Sequence, residues 1–438
     1  MAILTKDQAR EIMQKVVDFS NADFCEVTLQ GSKSGNIRYA RNTVSTSGEH
    51  EDISLSVQSS FGRRSGTSSV NEFDDESLKQ VVERSEELAR LAPESPEFME
   101  PLGPQEYKES LTWSESTANI TPEYRAQAAA DSIQPSIDNN LVSAGFLEDE
   151  AGFRALMNNK GLFAYNQSTN VDFSVTIRTQ DGMGSGWVSR DYNDVDQLDT
   201  RSASQIAIDK SIGSAEAVAL EPGNYTVVLE PDATVGLLSY MTNAMGARTA
   251  DEGRSFMSKS GGGSRLGEKM FDERVTLYSD PFDPDVPRAP FTGSGQPVEK
   301  TMWIENGVVK NLAYSRYWAQ ENDREPLPGP TNTIMEGGTK STQDLIAETE
   351  RGILVTRSWY IRMVDPQSLL LTGLTRDGTF YIEDGQISHA VKNFRFNESP
   401  VIMLNNIEEL GKPVRTNGNM IPPMKIRDFT FSSLSDAV

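Results

Sequence analysis

Apolar residues recur at helical spacing in "TKDQAREIMQKVVDF", residues 5–19, where Ile12, Val16 and Val17 follow a Thr cap. This pattern predicts an amphipathic helix. Alternating segments follow in "FCEVTLQGS", "GNIRYARNTVSTSGE" and "DISLSVQSSFGRRSGTSSV", and they read as strands. "DDESLKQVVERSEELARLA" returns to helical spacing and opens with acids, as a helix N-terminus prefers. The Pro-rich "APESPEFMEPLGPQEY" reads as a connection across the surface. A further helix is expected over residues 122–137, then strands through "LVSAGFLEDEAGFRALMNNKGLFAYNQSTNVDFSVTIRT".

The pattern of the first half repeats. "ISLSVQSSFGRRSGTSSVNEFDDESLKQVVERSEELA" and "FSVTIRTQDGMGSGWVSRDYNDVDQLDTRSASQIAIDKSIGSA" each run strand, turn, strand, acidic cap, helix. Two related units, about 1–105 and 120–220, are one reading, and chance likeness of a common plan is the other. From Pro222 the texture changes to strands with few helices. Asn306-Gly307 and Asp384-Gly385 sit between apolar runs and predict type I′ hairpins. The fold expected is therefore α+β. An N-terminal α/β domain of strand-strand-helix units spans 1–220, and a C-terminal β-rich, barrel-like domain spans 221–438.

Composition narrows the function. A chain of 438 residues exceeds one ordinary core. Its net charge of −23, from 64 acidic and 41 basic residues, argues against binding a polyanionic duplex, so no nucleic-acid partner is expected. No apolar run is long enough to cross a membrane, and "MAILTKDQAREIM" reads as a helix start and not a signal peptide. The single cysteine, Cys25, reads as a small buried hydrophobe, and a cytoplasmic location fits it.

Catalytic chemistry is scarce. The two histidines, His50 and His389, lie in different halves, so no one-helix zinc pair exists and a Ser/His/Asp triad has little to draw on. "SKSGGGSRLGEK" has Gly262 and Gly267 at P-loop spacing, but Glu268 and Lys269 stand where Lys and Ser/Thr are required. Gly261, Gly262 and Gly263 are read as a mobile loop over a cleft, with a plain surface linker as the rival. "SDPFDPDVP" reads as an acidic surface loop and not a cation site.

Several ordered stretches carry a family resemblance: "KTMWIENGVVKNLAYSRYWA", "GPTNTIMEGG", "LIAETERGILVT" and "GTFYIEDGQISHAVKNFRF". Over roughly 220–410 the chain resembles the TldD/PmbA (TldD/TldE) family of metalloproteases, also described as modulators of DNA gyrase. In that family TldD-like chains carry His-Glu-x-x-x-His and a later cysteine for zinc, and PmbA/TldE-like chains lack them. Positions i and i+5 lie about 140° apart on an ideal helix, so the zinc motif needs a local bulge. By register with Gly246, the motif positions here are Tyr240, Met241 and Met245, which are poor zinc ligands. The stretch of the late cysteine reads "TRSWYIRM", and the family's acidic stretch reads "FTGSG", Phe291–Gly295.

The resemblance thus implies a PmbA/TldE-like subunit with no catalytic residues and no cofactor of its own, zinc being expected only in a TldD-like partner. Together the two would degrade unstructured peptides. Tyr240, Met241, Met245, Arg316, Asn332, Trp359 and Tyr360 are the residues expected to line its peptide cleft, each with a place in the core as the alternative. The rival readings are a homodimer that binds peptides without cutting them and a metal-independent hydrolase.

Overall fold

The computed structural model describes residues 3–435. Helix α1, Lys6–Phe19, starts at a capping box between Thr5 and Gln8 and buries Ala9, Met13 and Val16. Strands β1 (Phe24–Ala40), β2 (Thr43–Phe61) and β3 (Arg64–Val70) follow, then α2 (Asp75–Leu91), capped by Asp74. After the connection the order recurs: α3 (Pro122–Asp138), β4 (Leu141–Asn158), β5 (Phe163–Thr179), β6 (Ser185–Tyr192) and α4 (Thr200–Gly213).

These strands form one antiparallel six-stranded sheet in the order β3-β2-β1-β4-β5-β6. Two units of the same plan therefore meet at the β1–β4 pair. The helices cover one face, because alternate residues of β1 point the same way: Cys25, Val27 and Leu29 pack with α1 and α2, and Ile37 and Tyr39 with α3 and α4. A glycine on each outer strand lets the last helix of its unit sit close. A Cβ on Gly66 would stand 2.3 Å from the Ala89 backbone nitrogen, and one on Gly186 only 2.0 Å from the Ala207 carbonyl oxygen.

One side chain stitches the units together. Arg125 of α3 is buried, donates to both carboxylate oxygens of Asp149 on β4 at 2.6 and 2.9 Å, and reaches Glu49 on β2 at 2.9 Å. Gly35 makes the room, since a Cβ there would lie 1.8 Å from the guanidinium. Cys25 is buried, and burial pushes its thiol up to about 11, the inert state expected of it.

The C-terminal region is built on a closed five-stranded barrel. Strand Gly223–Leu229 lies between Arg351–Asp365 and Met424–Leu434; Phe394–Glu398 and Leu370–Glu383 continue the order, and Leu370–Glu383 pairs back onto Arg351–Asp365. Val227, Leu229, Phe394, Phe396 and Phe431 belong to the apolar cluster that fills it. A second, six-stranded sheet of short strands packs alongside. Both predicted hairpins form, with φ of 49° and 78° at Asn306-Gly307 and 49° and 77° at Asp384-Gly385.

The Pro-rich connection does more than cross the surface. Tyr107 Oη donates to the Gly295 carbonyl at 2.6 Å, and Ser110 Oγ to those of Pro281 and Arg288 at 3.0 and 2.7 Å, so it ties the sheet to the barrel region.

Candidate functional site

The helix α5, Pro231–Asn243, begins directly after the barrel's first strand. Pro231 occupies the first turn, where its missing N–H costs nothing. Glu230 sits at the cap position, but its carboxylate pairs with Lys210 of α4 at 2.6 Å and leaves the helix end uncapped by a side chain. Most of the helix is in the core. Asp232, Gly236, Ser239, Tyr240 and Asn243 are the more open positions, and at 100° per residue they form one stripe.

The first part of that stripe lines a cleft of about 380 Å³ between the N-terminal sheet and the barrel region. Phe146, Trp187 and Ser189 come from β4 and β6, Asp232 and Gly236 from α5, and Arg357 from the strand Arg351–Asp365. Protein crowds the Asp232 carboxyl although part of the residue stays open to the cleft. That burial pushes it up to about 7, against the pull of Arg190, Lys210 and Arg357. Arg357 lies 3.9 Å over the Trp187 ring and is 2.9 Å from the buried Asp377 carboxylate.

The residues expected in a cleft divide between several places. Tyr240 is half-buried and donates its hydroxyl to the Ile361 carbonyl at 3.0 Å, so it does meet the stretch "TRSWYIRM". Trp359 and Tyr360 lie on that strand, their rings 5.4 Å apart, and Tyr360 is 54% exposed. Met241 and Met245 are corrected: both are 0% exposed and pack in the main apolar cluster, because they fall on the covered face of the helix and in the turn behind it. Asn332 is also corrected. It is buried and holds a loop, donating to the carbonyls of Asp280 and Val286 and accepting from the Asp280 N–H, all at 2.8 Å.

Arg316 donates to the Glu100 carbonyl at 2.6 Å and serves the connection, away from the cleft. Gly261, Gly262 and Gly263 form an open turn at positive φ, with nothing within 4 Å of an added Cβ. Their loop borders a different depression, lined by Phe256, Arg265 and Glu268, and does not cover the cleft. Both histidines are exposed, His50 on β2 and His389 on Gln386–Ala390. Sequence reading missed Asp232, Arg357 and Trp187. Only the Pro231-Asp232 pair at a helix start offered a local signal.

Three family models match in order: the PmbA/TldA metallopeptidase domain 1 over residues 25–89, its central domain over 120–214 and its C-terminal domain over 222–433. The chain belongs to the PmbA/TldD metallopeptidase family. Among curated relatives of this PmbA/TldD chain, an uncharacterised protein of Methanocaldococcus jannaschii is 26% identical over 302 residues, covering 64% of this chain and 67% of that protein. The metalloprotease PmbA of Escherichia coli O157:H7 is 19% identical over 95% of this chain and 97% of its own length. The crystal structure of TldE from Thermococcus kodakarensis superposes with a TM-score of 0.86 at 20% identity, covering 96% of this chain and all of that one, and so shares the fold.

The zinc that the resemblance implies for TldD-like chains does not fit the residues present here. The thioethers of Met241 and Met245 are sealed among apolar side chains, and the Tyr240 hydroxyl is committed to a backbone carbonyl. Among the described residues no group of three or more His, Cys, Asp or Glu stands close enough to hold a metal ion.

Proposed function

We propose that this chain is the metal-free subunit of a two-chain peptidase. It pairs with a TldD-like zinc subunit in the cytoplasm and supplies cavity wall and holding surface for unstructured peptides. One observation carries the reading. Of the three positions where the resemblance, by register with Gly246, puts the zinc motif, Met241 and Met245 are core methionines on and just past the helix after the first barrel strand, and Tyr240 is a half-buried tyrosine. What the helix still presents to a cleft, Asp232 and Gly236 beside Arg357 and Trp187, suits binding better than cutting.

The test is to purify the chain alone and together with a TldD-like chain from the same organism, then measure zinc content and cleavage of casein. The pair is expected to hold zinc and cleave; the chain alone is expected to do neither. Cleavage by the chain alone, lost on replacing His50 or His389, would favour a metal-independent hydrolase instead. A chain that purifies as a homodimer, binds peptide and gains no activity from the second chain would put the non-cutting peptide binder in first place.

A further inference from the structure

The outer part of the first unit's sheet has a bare edge. β3 pairs with β2 only along residues 55–61, so residues 43–54 of β2 have no strand on their outer side. Residues 43–52, ten in a row, are exposed, and since side chains alternate this includes both faces. The two-residue turn between Phe61 and Arg64 fixes which backbone groups face outward. Phe61, Ser59, Val57 and Leu55 turn their N–H and C=O groups to β3, so Ile53, Glu51, Glu49 and Ser47 turn theirs to the open side. A long open edge of this kind is a template for a further strand.

The second unit has the same edge and covers it. There β6 pairs with β5 along residues 171–178 and leaves 163–170 free. The chain leading out of the connection takes that place: the Thr169 N–H donates to the Thr112 carbonyl at 2.8 Å, and Thr112 Oγ1 donates to the Gln167 carbonyl at 2.6 Å. No described segment does this for β2. The bare strand is nevertheless held in place. Asn42 at its tip donates to the Leu141 carbonyl at 2.8 Å and accepts from the Ser143 N–H at 2.7 Å, and Glu49 accepts from the buried Arg125 at 2.9 Å. An edge fixed in advance loses little freedom on binding. Its charge is negative. Glu51 and Asp52, on opposite faces, form no ion pair among the described residues, although Lys33 stands across the ladder from Glu51. Pairing with the same edge of a second copy would bring these acids together, which is unfavourable.

We propose that residues 47–53 of β2 take up an extended, basic peptide segment as an added strand, an inference that rests on the peptide-holding role above. The backbone groups of Ser47, Glu49, Glu51 and Ile53 bond to the peptide's own N–H and C=O groups, which fixes its direction without reading its sequence. Preference comes from charge. Two adjacent Lys or Arg residues of the peptide fall on opposite faces of the added strand, one beside Glu51 and one beside Asp52.

The test uses the purified chain and four unstructured peptides carrying a neutral dye, read by fluorescence anisotropy. They have Lys-Lys or Glu-Glu at the centre, and central peptide bonds that are either normal or N-methylated. The Lys-Lys peptide with normal bonds is expected to bind about tenfold or more tighter than the other three. Its advantage should weaken with added salt. Its binding should also slow amide hydrogen exchange in residues 43–54. Glu51→Lys with Asp52→Lys should reverse the charge preference, and both positions are exposed, so the fold tolerates the change. Equal binding of all four peptides overturns the inference and leaves the peptide-holding role standing. No binding of any overturns both. A charge preference that survives the double substitution, or slowed exchange only outside residues 43–54, also overturns the inference. Slowed exchange there with a TldD-like chain and not with peptides assigns the edge to subunit pairing and overturns it too.

Discussion

The two units of the N-terminal sheet share a plan and differ in what they hold. Both run helix, three strands, helix, and both use a glycine on the outer strand, Gly66 or Gly186, to seat the final helix. The second unit is bolted to the barrel region by partly or fully buried polar contacts. Asp191 pairs with Arg415 at 3.0 Å and accepts the Gly418 N–H at 2.8 Å, Lys210 pairs with Glu230, and Ser185 bonds to Asp377. The first unit is tied through residues past its last helix: Glu97 pairs with Arg248 at 2.9 Å, both more than 40% exposed, and the Glu100 carbonyl accepts from Arg316. One plan thus provides two surfaces, and the candidate cleft forms only where the bolted unit supplies Trp187 and Ser189.

The largest effect should come from unpairing Arg125, the side chain that stitches the units, from its carboxylate within the second unit. Asp149→Ala leaves the Arg125 charge buried, so denaturant titration should show a loss of about 3–5 kcal/mol. If the Arg415 bolt matters as argued, Asp191→Asn should cost about 2–3 kcal/mol and loosen the cleft, seen as faster hydrogen exchange in the strand Arg351–Asp365. Gly66→Ala and Gly186→Ala each push a Cβ into helix backbone and should each lose about 1–3 kcal/mol. Markedly unequal losses would break the parallel between the units.

A smaller effect depends on pH. Asp232 is held above its ordinary value, near 7, so the folded state keeps a proton that the unfolded chain releases near 4. Its contribution to stability therefore falls as pH rises from about 4 to about 7, and is level above that. Asp232→Asn should remove this slope, and its stability relative to wild type should rise by about 1–2 kcal/mol between pH 6 and pH 8. Smallest of all, Glu97→Gln should change stability by less than about 1 kcal/mol, because the Arg248 pair is exposed. A larger loss would make the first unit's tether as important as the second unit's bolts.

How much was legible in the sequence depended on how local the cause was. The fold class, the barrel-like C-terminal region and the family were readable. The Pro-rich connection was placed, but its grip on Gly295, Pro281 and Arg288 was not, since those partners lie more than 170 residues away. Tyr240, Trp359 and Tyr360 lie on the helix and strand that border the cleft but are not among the residues that line it. Met241, Met245 and Asn332 turned out to be buried, because residue type alone does not say which face of an element is covered.

By itself the sequence determined what short-range physics controls. The Thr5–Gln8 cap, the positive φ at Asn306-Gly307 and the alternating apolar faces of β1 each need only a few adjacent residues. It also put two thioethers and a phenol, poor substitutes for imidazole, at the positions where the resemblance places the zinc motif. Only the tertiary structure set Arg357 against Arg376, Arg125 between Asp149 and Glu49, and Asp232 in a crowded cleft. Those placements depend on strand register, bulges and packing between distant segments, and charge is felt through space, not along the chain.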